Sequence, residues 1–237
     1  MLRVSVITPA FNEAANINEA IRTISASISR CVSAYEIIVV DDGSRDNTSL
    51  IVKNLSKHNK HIKLIHYDKN RGFGYAFRSG LKVAKYDYVT LYPSDNEMSG
   101  KSLAELIMHS PEADLIITYY ANARLRTTFR RIVSNCYSFM INMLFGLHIR
   151  YHNGPFICKT ALLKSIPLVS DGIAFLTESK VRLIKAGYSY KEIPFLFRQR
   201  KFGKSTALTY KNIKQISITL AVLVRDIYFR RTVYQRS

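Results

Sequence analysis

Apolar and polar positions alternate in blocks along the first half of this chain. Val4 to Pro9 is a short apolar run rich in β-branched residues, and beyond a polar turn at Asn12 the residues Ile17, Ile21, Ile24 and Ile28 recur at helical spacing. That pattern predicts a buried strand, a turn and an amphipathic helix. The unit then repeats. Glu36 to Val40 predicts a second strand and Asp46 to Ser56 a helix. His61 to His66 and Gly74 to Ala84 form the next pair, Tyr86 to Tyr92 and Ser102 to His109 the one after, and Ala113 to Tyr119 a fifth strand. Strands alternating with helices at this spacing predict βαβ units, hence an α/β fold with a mostly parallel sheet and helices on both faces.

After Tyr120 the alternation ends. Thr128 to Gly146 predicts a long helix, basic at its start and apolar later. A loop at His152-Asn153-Gly154-Pro155 follows, then a short helix, a helix over Gly172 to Ala186 and a strand over Tyr188 to Phe195. Tyr210 to Arg231 predicts an amphipathic helix, with Ile213, Ile216, Leu220, Leu223 and Ile227 on one face beside Lys211, Lys214, Arg225, Arg230 and Arg231. No repeat or low-complexity linker divides the 237 residues, which read as one domain with a specialised C-terminal third. The longest late apolar stretch, Ile216 to Val224, is broken by Ser217 and Thr219 and falls well short of the about 20 residues a spanning helix needs. Met1 leads directly into a strand-like run with no secretory pattern. Cys31, Cys136 and Cys158 have neither metal nor redox spacing, which suits a reducing, cytoplasmic setting.

Charge divides the chain more sharply than hydropathy does. The formal net charge is +18, and residues 1–114 are almost neutral, with 14 bases against 13 acids. Residues 115–170 contain no acid at all against seven bases, and residues 191–237 carry 11 bases against Glu192 and Asp226. A neutral first half joined to a basic second half predicts an anionic partner met by the second half. Nucleic acid is one such partner, but no recognised nucleic-acid-binding module is present.

Four polar clusters follow the first four strands: Pro9-Ala10-Phe11-Asn12-Glu13, Asp41-Asp42-Gly43-Ser44, Asn70-Arg71-Gly72-Phe73-Gly74 and Ser94-Asp95-Asn96-Glu97. Each alone is ordinary turn chemistry. Together they converge on the crevice outside the carboxyl ends of the strands, where open α/β sheets bind ligands. The glycines of the third cluster lack the dinucleotide fingerprint, which belongs after the first strand. Carboxylates at the second and fourth strand ends suit hydrogen bonds to a base or ribose and capture of a hard divalent cation.

The ordered strings PAFNE, IIVVDDGSRDNT, NRGFGYAFRSG and the acidic turn after DYVTLY resemble glycosyltransferase family two with the GT-A fold. The branch most resembled is that of dolichyl-phosphate mannose synthases and polyprenyl-phosphate sugar synthases. The likeness continues through FRRIVS, NGPFICKTALL, TESKVRLIKAGYSYKEIPFLF and RQRKFGKS, covering roughly residues 3–206. It implies a transferase domain over residues 1–206, with a nucleotide-sugar half (1–114) and an acceptor half (115–206), followed by a basic, membrane-proximal amphipathic helix over 207–237. It implies that Pro9, Phe11, Glu13, Val40, Asp42, Ser94 and Asp95 bind the nucleotide sugar. Asp95 and Glu97 are the expected ligands of Mg²⁺ or Mn²⁺, Glu97 restoring a charge lost where Pro93 replaces the family's first acid.

Asp95, Arg130, Ser134 and Arg200 are the catalytic candidates implied by the resemblance, the last three on the acceptor and diphosphate side. Related enzymes with hydroxyl acceptors commonly place an Asp beside a Glu as general base, whereas this chain has Thr177-Glu178-Ser179. A phosphate acceptor is already ionised and needs no base. The resemblance and the basic second half therefore imply inverting transfer from a nucleoside-diphosphate sugar to a polyprenyl phosphate at the cytoplasmic membrane face, with a membrane-anchoring partner as one arrangement. A glycan or lipid hydroxyl is the alternative acceptor. Two departures stand out: Tyr120 occupies a position where the branch often has Arg, with Arg124 or Arg126 near enough to replace it, and Tyr151 stands where an Asp is frequent. A catalytically silent scaffold gains weight from Pro93 and Tyr120.

Overall fold

The structure, a computed structural model, describes residues 2–196, 198 and 209–230. Seven strands form one sheet: β1 (Arg3–Ala10), β2 (Ala34–Asp42), β3 (Ile62–Tyr67), β4 (Tyr88–Leu91), β5 (Leu115–Tyr120), β6 (Phe156–Lys159) and β7 (Tyr190–Phe195). Their order is β3-β2-β1-β4-β6-β5-β7. The helices are α1 (Ile17–Ile28), α2 (Thr48–His58), α3 (Phe73–Val83), α4 (Gly100–Met108), α5 (Thr128–Phe145), α6 (Thr160–Ser165), α7 (Phe175–Lys185) and α8 (Tyr210–Val224). A 3₁₀ turn (Ala123–Leu125) precedes α5, and a π turn (Arg225–Phe229) extends α8.

Period-two alternation in the strands feeds two hydrophobic layers. Val4, Val6, Ile37 and Val39 pack with the isoleucines of α1 and with Leu103, Leu106 and Ile107 of α4. Ile7, Ile38 and Val40 point the other way, toward Phe77 of α3, Ile141 and Phe145 of α5, Phe175 of α7 and Leu223 of α8. The mostly parallel α/β sheet with helices on both faces is as the sequence predicts.

One strand departs from expectation. Where a short helix was expected directly after the 152–155 loop, the chain first forms β6, which runs antiparallel to both β4 and β5, pairing Val89 with Cys158 and Ile117 with Phe156. Four residues are too few to show a period. The reversal matters for position, because the loop leading into β6 emerges at the same edge as the loops leaving the parallel strands.

α7 carries three buried charges. Glu178 accepts from the amides of Val169 (3.0 Å) and Ser170 (2.9 Å) and pairs with Arg182 Nε at 3.0 Å. Arg182 reaches on to Asp226 at 3.0 Å, tying the end of α8 to the domain. Lys180 donates to the carbonyls of His152 (2.6 Å) and Gly154 (2.8 Å). Leu223 of α8 is buried, with Leu220, Val224 and Ile227 packed on the same core. The apolar face predicted for this helix is thus used inward along its C-terminal half, while Ile213 and Ile218 remain exposed. No helix among the described residues is long and apolar enough to cross a membrane.

His152 is fully buried, its Nε2 lying 2.9 Å from Asn142 Oδ1. That oxygen also accepts from the Ile149 amide, so the ring nitrogen facing it is the donor. Burial, with the nearby charge of Lys180, pushes the imidazole pKa down from 6.5 to about 3. In this window the unfolded chain binds a proton that the folded chain does not, so stability falls as pH drops from about 6.5 toward about 3. Urea denaturation across that range should show His152→Gln losing less stability than the parent as pH falls. Parallel pH profiles would contradict the assignment.

Candidate active site

The loops leaving β1, β2 and β3 are stitched to one another by backbone amides. Asn12 takes a left-handed conformation (φ 55°). Its amide donates to Ser44 Oγ at 2.9 Å, and its side-chain oxygen accepts from the Arg45 amide at 2.8 Å. Glu13 N donates to Thr48 Oγ1 (2.8 Å) and Ala14 N to Asp46 (3.0 Å). The buried Asp42 carboxylate accepts from the amides of Arg71 (2.9 Å) and Gly72 (2.7 Å), fastening the third loop to the second. Gly43 makes this approach possible: its φ is +77°, and a Cβ there would sit 2.7 Å from the Asn70 nitrogen. Phe11 remains exposed on the resulting rim.

The loop after β4 forms an acidic turn. Asn96 is left-handed (φ 59°) and meets the buried Tyr92 hydroxyl at 2.5 Å, while the Glu97 amide donates to Asp95 Oδ1 at 3.2 Å. Arg198, just beyond β7, donates its amide to the Glu97 carbonyl at 2.7 Å. Asp95 and Glu97 are both half-buried, one residue apart. Among the described residues no group of three or more His, Cys, Asp or Glu side chains could form a complete metal cage. Two oxygen donors on an open turn do fit Mg²⁺ or Mn²⁺, which commonly take one or two carboxylates and complete their shell with substrate phosphates.

Beside this turn, Tyr120 at the end of β5 and Tyr151 before β6 lie ring to ring at 4.6 Å, their hydroxyls 3.2 Å apart. The Arg126 guanidinium sits 4.4 Å from the Tyr120 centroid and 5.6 Å from that of Tyr151, and donates to Ser134 Oγ at 3.3 Å. Burial raises the pKa of both phenols, the negative charge of Glu97 adds to the effect and Arg126 opposes it. Both rings are therefore neutral faces for the cation. Lys180 supports this cradle from below through the 152–154 carbonyls; burial pushes its own pKa down to about 7.

The structure brings Asp95, Glu97 and Ser134 to one end of the sheet, with Arg130 one helical turn before Ser134 on α5. Pro9, Glu13, Asp42 and Ser94 stand at the ends of their strands, Asp42 with both oxygens engaged by amides. Val40 is different: it is wholly buried, its side chain in the core and its backbone paired between β1 and β3, so the structure does not bring it to the rim. Arg200 lies outside the described residues. Of the two bases near Tyr120, Arg126 is the one in the cradle. The sequence signal for it is an arginine in a stretch without acids; nothing in the sequence marks Lys180 or the pairing of Tyr120 with Tyr151.

The two amide bonds to Asp42 yield a stability prediction. Asp42→Asn keeps the shape but turns an NH₂ toward a backbone N–H, and should cost about 1–3 kcal/mol of unfolding free energy. Chemical denaturation measures it, and a variant as stable as the parent would show that the carboxylate does not hold the loop.

The chain resembles known proteins in sequence and in fold. Residues 5–166 match the family model described as glycosyl transferase family 2. The chain is 22% identical over 179 residues to a dodecaprenyl-phosphate galacturonate synthase of Rhizobium johnstonii, covering 74% of this chain and 53% of that protein. It is 26% identical over 207 residues to an undecaprenyl-phosphate 4-deoxy-4-formamido-L-arabinose transferase of Salmonella paratyphi A, covering 86% and 62%. The chain thus spans between about half and two-thirds of the length of these curated relatives. Among solved structures, glucosyl-3-phosphoglycerate synthase from Mycobacterium tuberculosis in complex with UDP superimposes with a TM-score of 0.73 at 18% identity, covering 94% of this chain and 80% of that one. The same enzyme with Mn²⁺, UDP-glucose and phosphoglyceric acid superimposes equally well, and its complex with Mg²⁺ and UDP also shares the fold. With an α/β sheet of GT-A architecture and a family match over more than half its length, the chain belongs to glycosyl transferase family 2.

Proposed function

We propose that this chain transfers a sugar, with inversion, from a nucleoside-diphosphate sugar to a polyprenyl phosphate at the cytoplasmic face of a membrane. The observation that carries this reading is Arg126 held on two phenol rings, with no ion pair to a carboxylate among the described residues. Such a cation is ready for an anionic acceptor. The occupancy of Glu178 supports the same reading. Its carboxylate, nearest in sequence to the family's usual base, is buried against two backbone amides and Arg182, which suits an acceptor with no proton to lose. The two curated relatives, a dodecaprenyl-phosphate and an undecaprenyl-phosphate sugar transferase by name, support it as well.

In this mechanism the rim built from the β1, β2 and β3 loops holds the nucleotide, with Phe11 offering its ring and Glu13 a carboxylate. Asp95 and Glu97 would hold a divalent cation, whose charge offsets the negative charge growing on the departing diphosphate. An acceptor phosphate oxygen forms a bond to the anomeric carbon as the bond from that carbon to the β-phosphate oxygen breaks, so the configuration inverts and the nucleoside diphosphate leaves. Arg126 and Ser134, with Arg130 a turn away, orient the acceptor phosphate and screen its charge from the diphosphate. Residues 1–114 serve the donor, residues 115–206 the acceptor, and Arg200 is assigned to the closing contact on the phosphates.

Incubation with a panel of nucleotide sugars and a short-chain polyprenyl phosphate, with 3-phosphoglycerate and a glycan hydroxyl as competing acceptors, tests the reading by mass spectrometry of the products. A lipid-linked sugar is expected; transfer only to a hydroxyl acceptor would overturn it. With the productive donor, Arg126→Ala should lower kcat/KM by about 10²–10³ while leaving donor Kd unchanged, and Arg126→Lys should recover only part, because an ammonium lacks the bidentate fork. Unaltered turnover would remove Arg126 from the site. EDTA-treated enzyme should regain activity with Mn²⁺ or Mg²⁺, and Asp95→Asn should raise the metal concentration needed. Full activity without metal would remove that role from Asp95 and Glu97.

A further inference from the structure

Single exposed apolar residues, such as Leu50 on α2, are ordinary on a protein surface. The outer side of α5 is not. Phe129, Phe139 and Met143 are 67%, 68% and 72% exposed, and Ile132 and Met140 are exposed between them. With the exposed Cys136 they recur at three- and four-residue intervals, which places them along one helix face. The opposite side, through Ser138, Ile141 and Phe145, is buried in the domain. A helix apolar on both sides belongs in an interior, yet this one presents its second side to the outside.

A further exposed aromatic, Phe229, stands near the end of the helix. Tyr228 donates its hydroxyl to the Leu144 carbonyl at 2.7 Å and stacks on Phe145. This contact sets Phe229, 80% exposed, beside the last turn of α5. Basic side chains border both ends: Arg124 and Arg131 at the start of the helix and Arg230 near Phe229, all exposed, while the exposed Arg225 is paired with Asp226 at 3.0 Å. No acid occurs anywhere in residues 115–170.

We infer that the outer face of α5, with Phe229 near its end, is the docking surface of this protein for an anionic lipid bilayer. The apolar stripe enters the boundary of the acyl chains, and the arginines at either end meet negatively charged headgroups. Charge selects this occupant over a second copy of the chain, because a two-fold pairing of this face would set arginines against arginines. The inference deepens the lipid-phosphate reading and rests on it for the purpose of the contact: α5 turns Ser134 toward Arg126 on its inner side while its outer side rests on the membrane that contains the acceptor. It also moves the main contact from α8, much of whose apolar face is packed inward, to α5.

The chain has no tryptophan, so Phe139→Trp supplies a single reporter in the full-length protein, and Leu50→Trp on the opposite layer a control. With vesicles of phosphatidylcholine and phosphatidylglycerol, Trp emission from the first variant should shift to the blue and be quenched by brominated acyl chains, while the control stays unchanged. Vesicles of phosphatidylcholine alone should bind far less. Phe139→Ser with Met143→Ser should weaken vesicle binding about tenfold or more without lowering the melting temperature. No blue shift in Phe139→Trp, or full binding by the double variant, would overturn the inference. So would a lipid-free dimer that the double variant dissociates, which would assign the face to a second copy. The polyprenyl phosphate assay in detergent separates this inference from the function. Transfer without vesicle contact refutes the surface and leaves the function standing, and vesicle contact without transfer does the reverse.

Discussion

Three charges buried on one helix hold the second half of the chain together. Removing Glu178, Lys180 and Arg182 from water is costly unless each is matched, and α7 matches each with a different piece of chain. Glu178 takes the 169–170 amides, Lys180 the 152–154 carbonyls and Arg182 the Asp226 carboxylate. The 152–154 and 169–170 segments have no regular structure of their own to satisfy their backbone groups. The helix substitutes for a ladder, and the loop that presents Tyr151 is as well determined as a strand end.

The first half of the chain meets the same need differently. Its loops are joined by amides that donate to Ser44, Thr48, Asp46 and Asp42, short side chains suited to closing turns. The halves meet because β6 runs backward. A parallel strand in that place would have carried the Tyr151 loop to the far edge of the sheet, about one strand length away from Asp95. The reversed strand therefore joins the acidic turn to the tyrosine cradle at one rim.

The first five strands and four helices were legible because isoleucine and valine recur with clear periods, and because strand ends are where polar turn residues gather. Asp95, Glu97 and Ser134 were legible through the family likeness of their surroundings. Other features had no local signal. β6 is shorter than a period can reveal. Val40 lies in an apolar run whose inward and outward positions cannot be separated when both faces of the sheet are covered. Lys180 reads as a solvated helix residue, because its burial depends on carbonyls almost thirty positions away. The apolar outer face of α5 was visible as composition, but only the packed inner face shows that the helix has more apolar surface than its own domain can cover.

Arg126 rests on ring faces rather than against a carboxylate, and this choice of support affects competition at the site. A guanidinium paired with an acid must surrender that partner before it can bind a ligand, so part of the ligand's binding energy goes into the exchange. Over Tyr120 and Tyr151 the cation keeps one hydrogen bond, to Ser134, and among the described residues has no carboxylate to give up. An arriving anion then adds to the existing contact instead of replacing it. In the proposed acceptor role the cation alone discriminates little between small anions, and selectivity comes from whatever else the ligand reaches.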